Sequence, residues 1–122
     1  MAQVTVDFVA RSSDGASWSM VLVEQGPWGN VQVEPNLRRL QDRLYGCVDA
    51  ALDGKLAEQF PESTGKAVAI RLDAYNVPEL PVREFFERFS QQVLHLPEYA
   101  AALKASTIVS RITFELQLEP SP

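Results

Sequence analysis

One histidine, one cysteine and three aspartates sharing a helical arc are the residues of this chain whose types and spacing suit chemistry. His95 would have to serve as the base of any Ser-His-Asp or Cys-His arrangement, since it is the single histidine. At about 100° per helical residue it lies about 200° from Val93 and about 180° from Phe86, on the face opposite the apolar stripe. No G-x-S-x-G or H-E-x-x-H pattern accompanies it. The reading is an exposed helical histidine. Cys47 follows Leu40 by seven positions, within about 20° of the same stripe, where a free thiol acts as a small buried hydrophobe with a raised pKa. Asp42, Asp49 and Asp53 occupy a narrow arc opposite Leu40. A hard cation such as Mg²⁺ takes carboxylate oxygen, but Arg38, Arg39, Arg43 and Lys55 stand within reach for helix-surface ion pairs. A solvated face is the favoured reading, and no catalytic residue, metal or cofactor is assigned.

The binding candidates are of a different kind. Arg38 and Arg39, with Arg43, form the most basic cluster near the start of the first helix, where cations oppose the helix dipole by a few tenths of ~1 kcal/mol. An external carboxylate or phosphate would relieve this, as would Glu34 and Asp42. Trp28 sits in Gly26-Pro27-Trp28-Gly29-Asn30. Loops carry function disproportionately and tryptophan is enriched at interface hot spots, although a loop aromatic also commonly folds back over the core. Arg71 and Arg111, with Asp73, Thr113 and Glu115, fall on the polar side of two alternating segments. They form either a docking surface or a face of cross-strand ion pairs.

These residues have to be positioned by six main elements and a short additional helix. Residues 4–11 alternate, with Val4, Val6, Phe8 and Ala10 on one side and Thr5, Asp7, Val9 and Arg11 on the other. Ser12-Ser13-Asp14-Gly15 makes a turn, and residues 18–24 continue as an antiparallel partner strand in which Trp18, Met20 and Leu22 share the core side. After the Trp28 loop, Val31-Gln32-Val33 is strand-like. Pro35 then suits a first helical turn. Leu37, Leu40, Leu44, Val48, Ala51, Leu52 and Leu56 mark an amphipathic helix, which either closes at Gly54 or runs on to Phe60 before Pro61.

Residues 67–75 alternate again, and residues 76–81, holding Pro78 and Pro81, read as a stiff connector. Val82, Phe86, Phe89, Val93 and Leu96, helped by Phe85, predict a second helix. A short third one is expected over 98–104, and a last strand over 107–118. The last two strands are apolar on one side only, whereas strands between two helix layers would be apolar on both. The expectation is an α+β fold: a two-layer, four-stranded mixed sheet in ββαβαβ order with helices packed on one face. A right-handed crossover makes the second and third strands parallel; the position and direction of the last strand stay open. Residues 1–118 read as a single domain and residues 119–122 as a short tail.

At 122 residues the chain is long enough for one core. Its formal charge of −5 opposes phosphate-rich partners, so no nucleic acid is expected. No apolar run approaches membrane-spanning length. The lone cysteine and a start without a basic leader point to the cytoplasm.

Trp28 before Leu37, the run Leu37-x-x-Leu40-Gln41-x-x-Leu44, then Leu52-Asp53-Gly54-Lys55-Leu56, Phe60-Pro61, Gly65-Lys66 and Ala67-Val68-Ala69-Ile70 together resemble a family of small uncharacterised bacterial proteins, a domain of unknown function. The likeness covers about residues 17–75. It implies a bacterial hairpin-helix-strand-helix-strand protein and carries no activity onto any residue here.

The functional expectation is a non-catalytic protein-interaction or accessory domain, self-associating through an edge strand or binding a protein partner, and by its acidity conceivable as an immunity protein against a basic target. The alternative is a small-ligand-binding protein or minor enzyme with a pocket near Trp28 and His95.

Overall fold

The computed structural model of the chain describes residues 6–119. Strand β1 (Phe8–Arg11) and strand β2 (Ser17–Gln25) form the expected antiparallel hairpin. Its turn is tied by Asp14, whose carboxylate accepts from the Ala16 N–H and the Ser12 hydroxyl, and by Gly15 at φ 73°, a left-handed conformation that suits glycine. Val31 and Gln32 are not strand. They belong to a 3₁₀ turn (Asn30–Gln32) that runs directly into helix α1 (Val33–Leu52). Three residues of alternation carry too little signal to oppose a helix already primed by Pro35 in its first turn.

Gly54, at φ 92°, separates α1 from a short helix α2 (Lys55–Gln59), so the apolar stripe continues to Leu56 on a second axis. Strand β3 (Lys66–Tyr75) follows. Helix α3 (Glu79–Gln92) begins inside the segment read as a connector. Pro78 caps it, and Pro81 lies in its first turn, where a missing N–H leaves no intrahelical bond unmade. A 3₁₀ turn (Val93–His95) leads to helix α4 (Pro97–Ala105), and strand β4 (Val109–Glu119) ends the described chain. Residues 4 and 5 of the expected first strand, and 120–122 of the expected tail, lie outside the described residues; Glu119 is strand.

The sheet order is β1-β2-β3-β4, with β2, β3 and β4 mutually parallel. The open question about the last strand is thus resolved: it runs beside β3 and in the same direction. Helices pack on one face, as expected. There Met20, Leu22, Val68, Ile70 and Leu72 meet Leu40, Leu44, Val48, Val82, Phe86 and Phe89 in a single core. Trp18 closes one end of it at 6% exposure, 5.6 Å from the ring of Phe60. Leu96, placed on the α3 stripe by its spacing, is instead exposed, because α3 has already given way to the 3₁₀ turn and the 3.6-residue period no longer applies. Among the described residues, no helix lies over the opposite face of the sheet. It is not uniformly wet, since Val21 lies between its cross-strand neighbours Phe8 and Arg71 and is 2% exposed.

Candidate functional site

The densest polar assembly sits where β2 ends against α1. Glu24 follows Trp18, Met20 and Leu22 on the core side, so alternation carries its carboxylate under the helix layer, where it is 4% exposed. A lone carboxylate there would be costly, and three guanidinium contacts satisfy it. Arg39 grips it in a two-pronged contact at 2.8 and 2.6 Å, and Arg43 donates to the same carboxylate at 2.7 Å. Burial alone would raise the Glu24 pKa, but hydrogen bonds and charge from Arg39 and Arg43 more than reverse this and hold it below its ordinary value. Arg43 also reaches Asp7 at 2.9 Å, and the Asp7 carboxylate accepts the Val23 N–H at 2.6 Å. Asp7 is likewise held below its ordinary value; burial acts upward, while the Val23 N–H and Arg43 act downward and prevail.

Two of the three clustered arginines are therefore saturated from within. The third, Arg38, pairs with Glu34 one turn earlier. Of the two internal partners foreseen for this cluster, Glu34 serves and Asp42 does not. Glu24, nine residues before the helix, is the partner that the sequence reading missed; the only signal for it is that it continues the alternation of Trp18, Met20 and Leu22.

The other candidates scatter. Trp28 is half-buried against the core, and its loop is held down by Gly26, whose N–H donates to the Tyr75 carbonyl at 2.8 Å. A Cβ on Gly26 would stand 1.8 Å from the Asn76 carbonyl oxygen, so only glycine fits. His95 is exposed. Cys47 is 1% exposed, and burial pushes its pKa up to about 12. Asp49 accepts from the Tyr99 hydroxyl at 2.8 Å and Asp53 pairs with Lys55 at 3.0 Å. No group of three or more metal-ligating side chains occurs among the described residues. Arg71 pairs with Asp73 at 2.7 Å on the uncovered sheet face. Arg111, on the same face two strands' width from β1, is exposed and makes no ion pair among the described residues.

A cleft of about 350 Å³ lies between α1 and α3. Leu37, Tyr45, Phe85 and Phe89 supply apolar walls, and Arg38 and Arg88 stand at its margin. Neither Trp28 nor His95 lines it. Spacing showed two amphipathic helices but not that their flanks would part here, since a groove depends on how two helices cross.

The remaining feature is the outer edge of β4. This strand is eleven residues long, and no strand pairs with its outer side among the described residues. Its helix-facing row of Phe114, Leu116 and Leu118 is only half-buried. Comparison of the chain with family models, with curated proteins and with solved structures returns no match. Among the described residues no helix is long and apolar enough to cross a membrane.

Proposed function

We propose that this chain is a non-catalytic protein-interaction domain that docks by strand addition along β4. The observation that supports this reading is an eleven-residue edge whose outer amides have no strand partner among the described residues, bordered by a half-exposed apolar row. Main-chain hydrogen bonds would supply affinity, and the apolar row would supply selectivity. Natural edges are usually blunted by proline, lysine, bulges or brevity; residues 109–119 contain neither proline nor lysine, and the one register shift falls at Ser110, leaving 111–119 regular. The reading is tested by comparing the stoichiometric partners, self or other, of the full chain and of a Leu116→Pro variant. Proline there removes an outward N–H from the edge. A partner lost with Leu116→Pro and kept with Leu37→Glu, which alters the cleft instead, supports edge docking. Identical partners for wild type and Leu116→Pro overturn it.

The α1–α3 cleft favours a second reading, a site for a small amphipathic anion. At roughly 30 Å³ per non-hydrogen atom its volume suits about a dozen such atoms. Tyr45, Phe85 and Phe89 offer aromatic surface, and Arg88 makes no ion pair among the described residues. An NMR titration with 4-phenylbutanoate should shift Tyr45 and Phe89 with a Kd near ~1 mM, the range expected for a ligand of that size. The uncharged 4-phenylbutanol should bind about tenfold more weakly, and Arg88→Gln should erase that difference. Equal binding of acid and alcohol by the wild type would remove this reading.

A further inference from the structure

Strand addition leaves the identity of the added strand open, and the residues of β4 themselves constrain it. The Glu119 carbonyl accepts from the Asn76 N–H at 3.2 Å, so it points inward toward β3. Along a strand the N–H and C=O of one residue lie on the same side, and successive residues alternate sides. Counting back from Glu119, the odd-numbered residues bond β3, while Ile112, Phe114, Leu116 and Leu118 turn their main-chain groups to the free edge. The alternation holds down to position 111; the one register shift lies beyond it, between Lys66 and Ala67 of β3. Of these, Phe114, Leu116 and Leu118 also carry the half-exposed apolar row, while Ile112 is buried at 5% exposure.

Resting on the interaction reading above, we propose that the strand added to β4 is β4 of a second copy, antiparallel, about a two-fold axis through Thr113. An isologous contact requires a self-complementary strand, and this register makes β4 so. It sets Ile112 opposite Phe114 of the second copy, both with outward amides, so the two exchange main-chain hydrogen bonds. On the uncovered face it sets Arg111 directly opposite Glu115 of the second copy, twice. Both side chains are exposed in the single chain, and Arg111 makes no ion pair there among the described residues. Thr113 faces its own counterpart.

Neighbouring registers do worse. An axis through Arg111 opposes two arginines, and one through Glu115, although it sets Arg111 opposite Glu119 twice, opposes two glutamates at its centre, a like-charge contact that the Thr113 axis avoids. Axes through Ile112 or Phe114 leave Arg111 opposite Thr113 or Gln117. Opposite charges facing across strands stabilise and like charges destabilise, so the charge pattern selects the Thr113 axis. The product is a continuous eight-stranded sheet in which the helix-side residues Ile112 and Phe114 of the two copies form an apolar seam. The edge at β4 disappears, and the short β1 strands become the two outer edges.

Three variants of the full chain test this by native mass spectrometry and sedimentation. Wild type is expected to dimerise. Arg111→Glu and Glu115→Arg, each placing like charges opposite each other at two points, should each weaken the dimer by about tenfold. The double reversal should recover wild-type affinity to within about threefold. A dimer that tolerates the single reversals, or that the double reversal does not rescue, overturns this register.

Thr113→Cys gives a geometric readout. A pair that does not exchange main-chain bonds brings its Cα atoms to about 4.5 Å, within the range a disulfide spans. Oxidation should give a covalent dimer, and Cys47, 1% exposed, does not compete. Failure of Thr113→Cys to cross-link in a folded sample also overturns the proposal. A wild type that stays monomeric at all concentrations overturns it too; if a partner other than itself is then lost with Leu116→Pro, the interaction reading survives alone.

Discussion

The two edges of this sheet are finished in opposite ways. The β1 edge is four residues long, and its neighbour β2 outruns it by five. Where β1 stops, a side chain takes over: the Asp7 carboxylate accepts the Val23 N–H that a longer strand would have bonded. Asp7 is in turn held by Arg43, which is held by Glu24, so the edge is sealed by a chain of charges running back under the helices. Arg11 at its far end pairs with Glu62. The β4 edge has the length of a full strand; apart from a register shift at Ser110 near its start, it carries no such device among the described residues. Five charged residues seal one edge, while among the described residues the other stays open, and this contrast is what the proposed docking along β4 rests on. Natural sheets otherwise remove this liability.

The largest effect on the sealed side should come from Glu24. Glu24→Gln removes the charge that neutralises Arg39 and Arg43, and we expect a loss of about 2 kcal/mol in urea unfolding. That is less than for a fully buried pair, because both arginines stay partly in water. The acid response follows from the same geometry. A carboxyl held below its ordinary pKa in the folded state contributes stability that is complete above the unfolded value of 4.5 and is lost as pH falls through the lower folded value. Wild type should therefore lose stability faster than Glu24→Gln between about pH 5 and pH 3. Parallel decline of the two proteins would show that Glu24 does not hold the sealed side together.

Asp7→Ala should act next in size and more locally. It leaves the Val23 N–H to water and Arg43 with Glu24 and the Val23 carbonyl, for about 1 kcal/mol, a modest figure because the Asp7 side chain is 42% exposed. The signature is amide exchange: Val23 should lose protection while Val21, whose carbonyl accepts from the Asp7 main chain, changes little. If Val23 keeps its protection, side-chain capping is not what seals this edge.

How much of this contrast the sequence carried depends on range. The hairpin, the α1 stripe and the one-sided character of β3 and β4 were legible because each is written in a local period of two or of 3.6. The uncovered face was legible for the same reason. Glu24 ends the strand whose Trp18, Met20 and Leu22 face the core, but nothing local marks that its carboxylate goes under the helices or which cation meets it there. Arg39 and Arg43 are fifteen and nineteen residues away, and their meeting is set by how α1 crosses the end of β2. The cleft between α1 and α3 is non-local in the same sense. Val31-Gln32-Val33 and the α3 start failed for the opposite reason: short alternation and proline-rich stretches are weak local signals that a neighbouring helix overrides. Arg111 and Arg71 were both placed on the uncovered face from pattern alone. That Arg71 is paired, and Arg111 not among the described residues, became visible only with the Arg71–Asp73 contact.

The smallest effect on the fold should come from Thr113→Lys, and that is its use. Thr113 is exposed on the uncovered face, and its main-chain groups point inward to β3, so lysine costs no ladder bond and no core volume. A surface change of this kind lies within about 0.5 kcal/mol of wild type. Yet lysine is the residue natural edges use against strand addition, and at a two-fold axis it meets its own copy, charge against charge. The two edges thus predict opposite dissociations of stability from assembly. On the sealed side Asp7→Ala lowers stability and leaves the oligomeric state unchanged. On the open side Thr113→Lys leaves the urea midpoint unchanged and abolishes the dimer in sedimentation. A Thr113→Lys protein that still dimerises would place the self-contact elsewhere than on β4 and remove the functional meaning of the unsealed edge.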